Sequence, residues 1–153
     1  MTHPSVANLW QKFRLQNPDV AEDPPFAFYF CDRQEDADTC AELVVKGQKQ
    51  ATASSLVELD LSGEKVSQPG DYFVITDFAG RARAIIRMTS VDIVRFGDID
   101  AKFAWDEGEG DRTLEWWREV HRDYYRRVLE GSDVIVDDDL MIACERFTTV
   151  FVA

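Results

Sequence analysis

Two residues that could act together in acid–base chemistry, Lys49 and Thr52, lie three positions apart in the segment 46–54, Lys-Gly-Gln-Lys-Gln-Ala-Thr-Ala-Ser. A lysine that loses solvent has a lowered pKa and can take a proton from a nearby hydroxyl. A threonine hydroxyl is a weak nucleophile that needs such a partner. The same pattern is also typical of a helix that ends at a glycine, here Gly47, followed by a solvated lysine.

A second group of candidate residues is the acidic segment 107–112, Glu-Gly-Glu-Gly-Asp-Arg. Clustered carboxylates can carry protons or bind a cation, and glycines let the backbone pass close to a ligand. Alternatively, Asp111 or Thr113 caps a following helix and the glutamates favour its positive end. The spacing does not fit an EF-hand loop, and two histidines are too few for a histidine-based metal site.

A row of arginines, Arg81, Arg83 and Arg87, recurs with a period of two, which places the three side chains on one face of a strand. Such a row forms a local basic strip for a phosphate, or an ordinary exposed sheet face with salt bridges. His121 lies on the apolar stripe of a helix, where a buried core histidine is the preferred interpretation over a catalytic base.

The charge of the whole chain limits its partners. Lys and Arg number 17 and Asp and Glu 29 among 153 residues, which gives a net charge of −12. This balance argues against binding long nucleic acids mainly by phosphate neutralisation, and against an anionic membrane surface. It leaves room for a small polar ligand in a locally basic cleft.

Cysteine usage and hydropathy point to a reducing, cytoplasmic location. The three cysteines are odd in number and have no Cys-x-x-Cys spacing, so no disulfide framework or zinc site is expected. The N-terminus shows no signal-peptide pattern, and no apolar run reaches the length of a membrane span. Length predicts a single domain over residues 1–153.

Hydrophobic periodicity predicts an α+β protein with a mostly antiparallel sheet. Residues 26–30 are either a short strand or a packed loop, 81–96 either a long strand or a bent pair, and 106–111 a polar loop. Strands with short turns and one long bent member favour a small curled sheet or barrel. The remaining predictions are a first helix with its apolar face over 6–13 that ends at Asn17-Pro18, helices over 36–46 and 113–130, and strands over 51–59, 72–76 and 141–152.

These motifs, in this order, resemble the ASCH family over nearly the whole chain. The similar segments are Leu9–Phe13, Gly47-x-Lys49-x-x-Thr52-Ala53-Ser54, Pro69–Tyr72, the string from Glu107 through Thr113-Leu114-Glu115 to His121, and Cys144–Phe147. The resemblance implies a PUA-like fold, a small β-barrel flanked by helices, with a cleft for RNA or a nucleoside under the Gly-x-Lys segment.

The resemblance also implies a chemistry. One group of the wider family hydrolyses the acetyl amide of acetylated cytidine with a Lys, a Thr three residues later and a Glu, which correspond to Lys49, Thr52 and either Glu107 or Glu109. Another member is a metal-dependent ribonuclease whose lysine corresponds to Lys49. A basic residue of the broader motif is replaced here by Ser54, which removes a cation from the phosphate side.

Three functions follow as hypotheses. The first is an amidohydrolase acting on a nucleoside-like small molecule without a cofactor. The second is an RNA-binding module or ribonuclease for short RNA, which in the ribonuclease case uses a divalent metal. The third is a non-catalytic sensor of a nucleotide-like ligand. The predicted catalytic residues are Lys49, Thr52, Glu107 and Glu109, and the predicted ligand- or RNA-binding residues are Gly47, Ser54, Arg81, Arg83, Arg87 and Arg146.

Overall fold

The computed structural model describes all residues, 1–153, and joins five strands into one sheet. The strands are β1 (Ala27–Phe28), β2 (Ala51–Ser55), β3 (Tyr72–Thr76), β4 (Ala82–Arg95) and β5 (Met141–Val152). Their order in space is β1-β3-β4-β5-β2. The β1–β3 pair is parallel and the other three pairs are antiparallel. The mixed, mostly antiparallel α+β architecture therefore agrees with the sequence prediction.

Five helices accompany the sheet. They are α1 (Pro4–Gln16), α2 (Gln34–Val45), α3 (Leu56–Ser62), α4 (Ala101–Glu107) and α5 (Leu114–Val128). The three longer helices each present an apolar stripe to the protein interior, as the buried residues Trp10 of α1, Val44 of α2 and Trp117 of α5 show. None of the helices has the length and apolar character that spanning a bilayer requires.

The predicted barrel is not confirmed, because β1 and β2 remain the two unpaired edges of an open sheet. β1 has only two residues and begins one residue after the Pro24-Pro25 segment, which cannot donate ladder hydrogen bonds. The long strand β4 is one continuous strand with register shifts after Ile85 and Met88. Such irregularities bend a strand and increase its twist, so β4 curves without closing the sheet.

The predicted strand over 51–59 is too long, because the chain turns into α3 after Ser55. The Ser55 hydroxyl accepts a hydrogen bond from the Glu58 backbone N–H (3.1 Å), and the Glu58 carboxylate accepts one from the Ser55 N–H (2.7 Å). This reciprocal capping box satisfies two donors at the helix start. Val57 and Leu59 continue the apolar alternation of β2, which is why the pattern resembles a longer strand.

The predicted polar loop over 106–111 is also wrong at its start, because α4 extends through Glu107. The Asp100 side chain accepts a hydrogen bond from the Phe103 N–H and so caps the helix start. Gly108, at a φ of 73°, ends the helix. Asp106 and Glu107 are thus residues of a final helical turn, and both are buried.

Candidate functional site

A cavity of about 820 Å³ opens between the segment 26–36, strand β2 with α3 and the following loop, and helix α5. This volume falls in the range of small-molecule sites. The cavity collects five of the sequence-predicted site residues: Lys49, Thr52, Ser54, Glu107 and Glu109. Aromatic side chains that include Phe28, Phe73 and Trp116 supply its apolar walls.

Two short hydrogen bonds to backbone carbonyls bring Lys49 and the two glutamates together. The Gln50 N–H donates to the carbonyl of Asp106 in α4 (2.7 Å), and the Gln48 side-chain amide donates to the carbonyl of Gly108 (2.7 Å). Gly108 packs so tightly here that an added Cβ would lie 2.5 Å from the Gln48 carbonyl oxygen. The end of α4 and the approach to β2 therefore form one unit, with Lys49 at its centre.

The Lys49 ammonium is completely buried and fully hydrogen-bonded. Its Nζ donates to Glu107 Oε2 (2.9 Å), Glu109 Oε2 (2.9 Å) and the Ala51 carbonyl (2.8 Å). These three bonds use all the donors that an ammonium has. Burial lowers the pKa of Lys49, but the two carboxylates outweigh it and hold that pKa well above its usual range. Lys49 is therefore a cation here, with no lone pair directed at Thr52.

The two glutamates differ strongly in environment. Glu107 is completely buried, and although burial favours its neutral form, the charges of Lys49 and His121 hold its pKa well below the usual range. The side chain of Glu109 is 14% exposed toward the cavity. Burial together with the Glu107 charge raises the pKa of Glu109, although Lys49 partly opposes this. The opposite pKa directions favour the ionised form of Glu107 and make Glu109 the easier of the two carboxylates to protonate.

His121 is the partner of Glu107 that sequence reasoning assigned to the core alone. Its Nδ1 lies 2.9 Å from the Trp117 carbonyl, an acceptor that requires a proton on Nδ1. Its Nε2 lies 3.3 Å from Glu107 Oε1, also an acceptor. Burial lowers the pKa of His121, but Glu107 outweighs burial and raises it. His121 is buried as predicted, and it also lines the cavity.

Two cysteines lie close to the second carboxylate oxygen of Glu109, the one that Lys49 does not bind. The Cys40 Sγ donates a hydrogen bond to Glu109 Oε1 (3.3 Å), and the Cys31 Sγ lies 3.8 Å from the Cys40 Sγ. Cys40 is buried on α2, whereas Cys31 lines the cavity. Both oxygens of Glu109 are therefore held, one by Lys49 and one by Cys40. The third cysteine, Cys144, is a buried strand residue as predicted.

The other five predicted binding residues lie outside the cavity lining. Arg83 pairs with Glu42 on α2, and Arg146 pairs with Asp106 on the face of β5 opposite to Glu145. The guanidinium of Arg87 lies over the Tyr72 ring, 5.3 Å from its centre. The remaining two are Arg81, which is exposed, and Gly47, whose positive φ of 77° ends α2.

Two groups of side chains have the composition of a metal site. The donor atoms of Glu107, Glu109 and His121, and likewise those of Cys31, Cys40 and Glu109, lie within 4.8 Å of one another. The Lys49 ammonium already supplies a positive charge 2.9 Å from both carboxylates. A cation held by Glu107, Glu109 and His121 would have to displace that ammonium, so this group does not fit a metal well.

The charged residues of the cavity lining are mostly acidic. Seven carboxylate side chains face four lysine or arginine side chains and His121. Two of those cations are committed, since Lys49 pairs with Glu107 and Glu109, and Arg127 pairs with Asp32. This electrostatic environment favours a neutral or cationic ligand over a phosphate chain.

Comparison with known proteins agrees with the fold and identifies the family. The sequence model of the ASCH domain family matches residues 26–151, so the chain belongs to the ASCH domain family. No protein with a curated functional description is detectably similar in sequence.

Two solved structures are similar over almost the entire chain. One is an ASCH domain from Lactobacillus crispatus JV V101, with a TM-score of 0.87 and 28% identity over 98% of this chain and 96% of that one. The other is a DUF984 family protein from Enterococcus faecalis V583, with a TM-score of 0.87 and 30% identity over 97% of this chain and 89% of that one.

Proposed function

We propose that the cavity binds a neutral, nucleoside-like molecule and hydrolyses an acyl amide on it, with Glu109 as the proton carrier. The observation that carries this proposal is the separation of the two glutamates by their environments. Glu107 is held ionised, whereas the pKa of Glu109 is raised and its carboxylate reaches the cavity. Paired carboxylates with such divergent pKa values are typical of acid–base sites.

The proposal gives Thr52 the role of nucleophile. Its side chain lies on β2 at the cavity wall and is half-buried. The hydroxyl oxygen attacks the amide carbonyl and its proton passes to ionised Glu109. Glu109 then returns that proton to the departing amine, which leaves an acyl ester on Thr52. Glu109 then deprotonates a water molecule that attacks the ester carbonyl, and it returns this proton to the Thr52 oxygen as the acid leaves, which regenerates both side chains.

Lys49 in this proposal acts through its charge. Its three hydrogen bonds prevent it from acting as the base for Thr52, the role that its position in the sequence suggests. The ammonium orients Glu109 and favours the negative charge that develops near that carboxylate during proton transfer. Cys40 fixes the second carboxylate oxygen of Glu109.

The acidic lining supports a nucleoside over an RNA chain as the ligand. Each phosphate of RNA would bring a negative charge to a cavity in which carboxylates outnumber cations. The arginines that would form a phosphate-binding strip, Arg81, Arg83 and Arg87, lie outside that cavity. The chain also resembles a group of the wider ASCH family that hydrolyses acetylated cytidine, and this resemblance likewise favours a nucleoside as the ligand.

The test is acid release from a panel of acylated nucleosides, followed by chromatography. We expect wild type to release acid, and Thr52→Val and Glu109→Gln to lose about 100-fold or more of the rate, as expected when a nucleophile or proton carrier is removed. Ser62→Ala, a change of an exposed residue in the lining of the same cavity, is the matched control and should retain activity. Binding of the panel without acid release by wild type would refute catalysis and leave the sensor function.

A further inference from the structure

A second buried carboxylate, Glu145, lines the cavity without taking part in the Lys49 cluster. Its side chain belongs to β5 and the residue is only 7% exposed. Its one hydrogen-bond partner is the Ser67 hydroxyl, which donates to Oε2. No cationic nitrogen lies within ion-pairing distance of this carboxylate, because neighbouring Arg146 points to the opposite sheet face and pairs with Asp106. Buried charges normally have a partner, so this arrangement calls for one.

The register of the sheet places Glu145 beside the proposed nucleophile. Thr52 of β2 lies directly opposite Glu145 of β5 in an antiparallel pair. Directly opposite residues project from the same face with Cβ atoms about 5 Å apart. A ligand that reaches Thr52 therefore lies within reach of Glu145. Burial raises the pKa of Glu145, and Glu64 and Asp71 add to this effect, while Ser67 opposes it.

We propose that Glu145 and Ser67 form a recognition subsite for an amino-type N–H edge of the ligand. The free carboxylate oxygen accepts the N–H bond while the Ser67 hydroxyl fixes the other oxygen. Carboxylates accept in this way from the exocyclic amino group of a nucleobase or from an amidinium. The subsite selects ligands by donor pattern, and it excludes those that present a carbonyl oxygen at the same position.

This inference rests on the nucleoside-like ligand of the proposed function, but it does not depend on hydrolysis. The experiment is calorimetric binding of cytidine and uridine, which differ in an amino against an oxo group on the base. Benzamidine tests a cationic edge. All three probes are measured on wild type, Glu145→Gln and Ser67→Ala. Glu64→Gln, a change of an exposed glutamate that also lines the cavity, is the matched control.

Wild type should bind cytidine about tenfold or more tighter than uridine, the value of one charge-assisted hydrogen bond. Glu145→Gln should abolish this preference, because Ser67 holds the amide oxygen and leaves an N–H₂ group toward the ligand. Ser67→Ala should weaken the preference and Glu64→Gln should retain it. Benzamidine binding that depends on Glu145 in place of cytidine binding would assign the subsite to cationic ligands.

A preference that survives in Glu145→Gln, or no saturable binding of any probe by wild type, would overturn the subsite. Glu145→Gln removes a buried charge, so its melting temperature should equal or exceed that of wild type, which separates binding from misfolding. Acid release from acylated nucleosides without any cytidine preference would reject the subsite and keep the hydrolase. A preference for cytidine without acid release would keep the subsite and reject the hydrolase.

Discussion

Lys49 is buried and positively charged. Its ammonium is stabilised there by three hydrogen bonds, which it donates to two carboxylates and one backbone carbonyl. Removing one member of a buried ion cluster leaves an uncompensated charge, which costs more than the intact cluster contributes. Substitution of the two glutamates should therefore lower the free energy of unfolding by different amounts. Glu107 also faces His121, whereas Glu109 is partly accessible from the cavity.

We expect Glu107→Gln to lower the free energy of unfolding by about 3 kcal/mol or more. The change leaves both Lys49 and His121 short of a counter-charge in the interior. Glu109→Gln should cost less, because its site is more open and Lys49 keeps Glu107. Urea denaturation of the two variants measures this difference. Equal losses would show that the two carboxylates are equivalent, contrary to their environments.

The pH dependence of stability tests the charge of His121. Its folded-state pKa is raised above the unfolded value of about 6.5. The stability that it contributes is therefore fully present below that unfolded value, and it is lost as the pH rises through the folded pKa. The advantage of wild type over His121→Gln in unfolding free energy should shrink as the pH rises above about 6.5. An advantage that stays constant, or grows with pH, would contradict a protonated His121.

Turnover that depends on Glu109 should be lost at low pH, whereas the stability that His121 contributes is lost at high pH. In the proposed mechanism the ionised form of Glu109 accepts the Thr52 proton, and its pKa is raised by burial and by Glu107. Turnover should fall as the pH drops through that raised value. Cys40→Ala removes the hydrogen bond that the thiol donates to the ionised carboxylate, so its acidic limb should move to higher pH. A pH profile of kcat identical in wild type and Cys40→Ala would count against this contact.

At the residue scale, the sequence patterns predicted four residues of the site and missed the roles of two others. Lys49, Thr52 and the two glutamates were accessible through their types and spacing, and all four line the cavity. His121 and Glu145 were visible only as members of an apolar helix stripe and of a closing strand. Periodicity assigns a residue to a face, but the ionic partner of His121 and the missing partner of Glu145 depend on tertiary contacts.

At the element scale, the long amphipathic segments were predictable and the short ones were not. Helices α1, α2 and α5 and strands β3, β4 and β5 carry clear 3.6- or two-residue periods. Helices α3 and α4 have seven residues each, too few to show a helical period. Their formation depends on capping by Ser55 and Asp100 and on tertiary packing.

The turn after α4, at Gly108, should tolerate a side chain less well than the turn after α3, at Gly63. Gly108 and Gly63 both have a φ of 73°, so alanine costs about 1–2 kcal/mol of backbone strain at each. Around Gly63 no atom lies within 4 Å of the added Cβ, but at Gly108 that Cβ would lie 2.5 Å from the Gln48 carbonyl oxygen. We expect Gly108→Ala to be the more destabilising by about 1–3 kcal/mol, the cost of overpacking. It should also weaken ligand binding, because the shift displaces Glu107 and Glu109.

Thermal and urea unfolding of both variants measures the comparison, with Gly63→Ala as the control for backbone strain alone. Equal destabilisation would mean that the approach of Gly108 to Gln48 does not hold the site together. A Gly108→Ala protein that is destabilised but binds cytidine normally would separate the packing of this turn from the placement of the glutamates.

At the scale of the whole molecule, the net charge of −12 and the acidic majority in the cavity have the same consequence. A protein that holds RNA by its phosphates loses about 10³–10⁵ in affinity between about 50 and 200 mM salt when six to ten phosphates are contacted. Recognition of a neutral nucleoside depends instead on hydrogen bonds and apolar contact, which salt screens little. The salt dependence of binding therefore distinguishes the two ligand classes without knowledge of the exact substrate.

We expect the affinity for cytidine to change less than about threefold over that salt range, since no counterions are released on binding. A short single-stranded RNA should bind no more tightly than a single nucleoside, because each added phosphate meets a negatively charged surface. Arg83→Glu should leave both affinities unchanged, as Arg83 is paired with Glu42 outside the cavity. A steep loss of RNA affinity with salt that Arg83→Glu reduces would instead identify the arginine row as the binding surface, and the nucleoside proposal would fail.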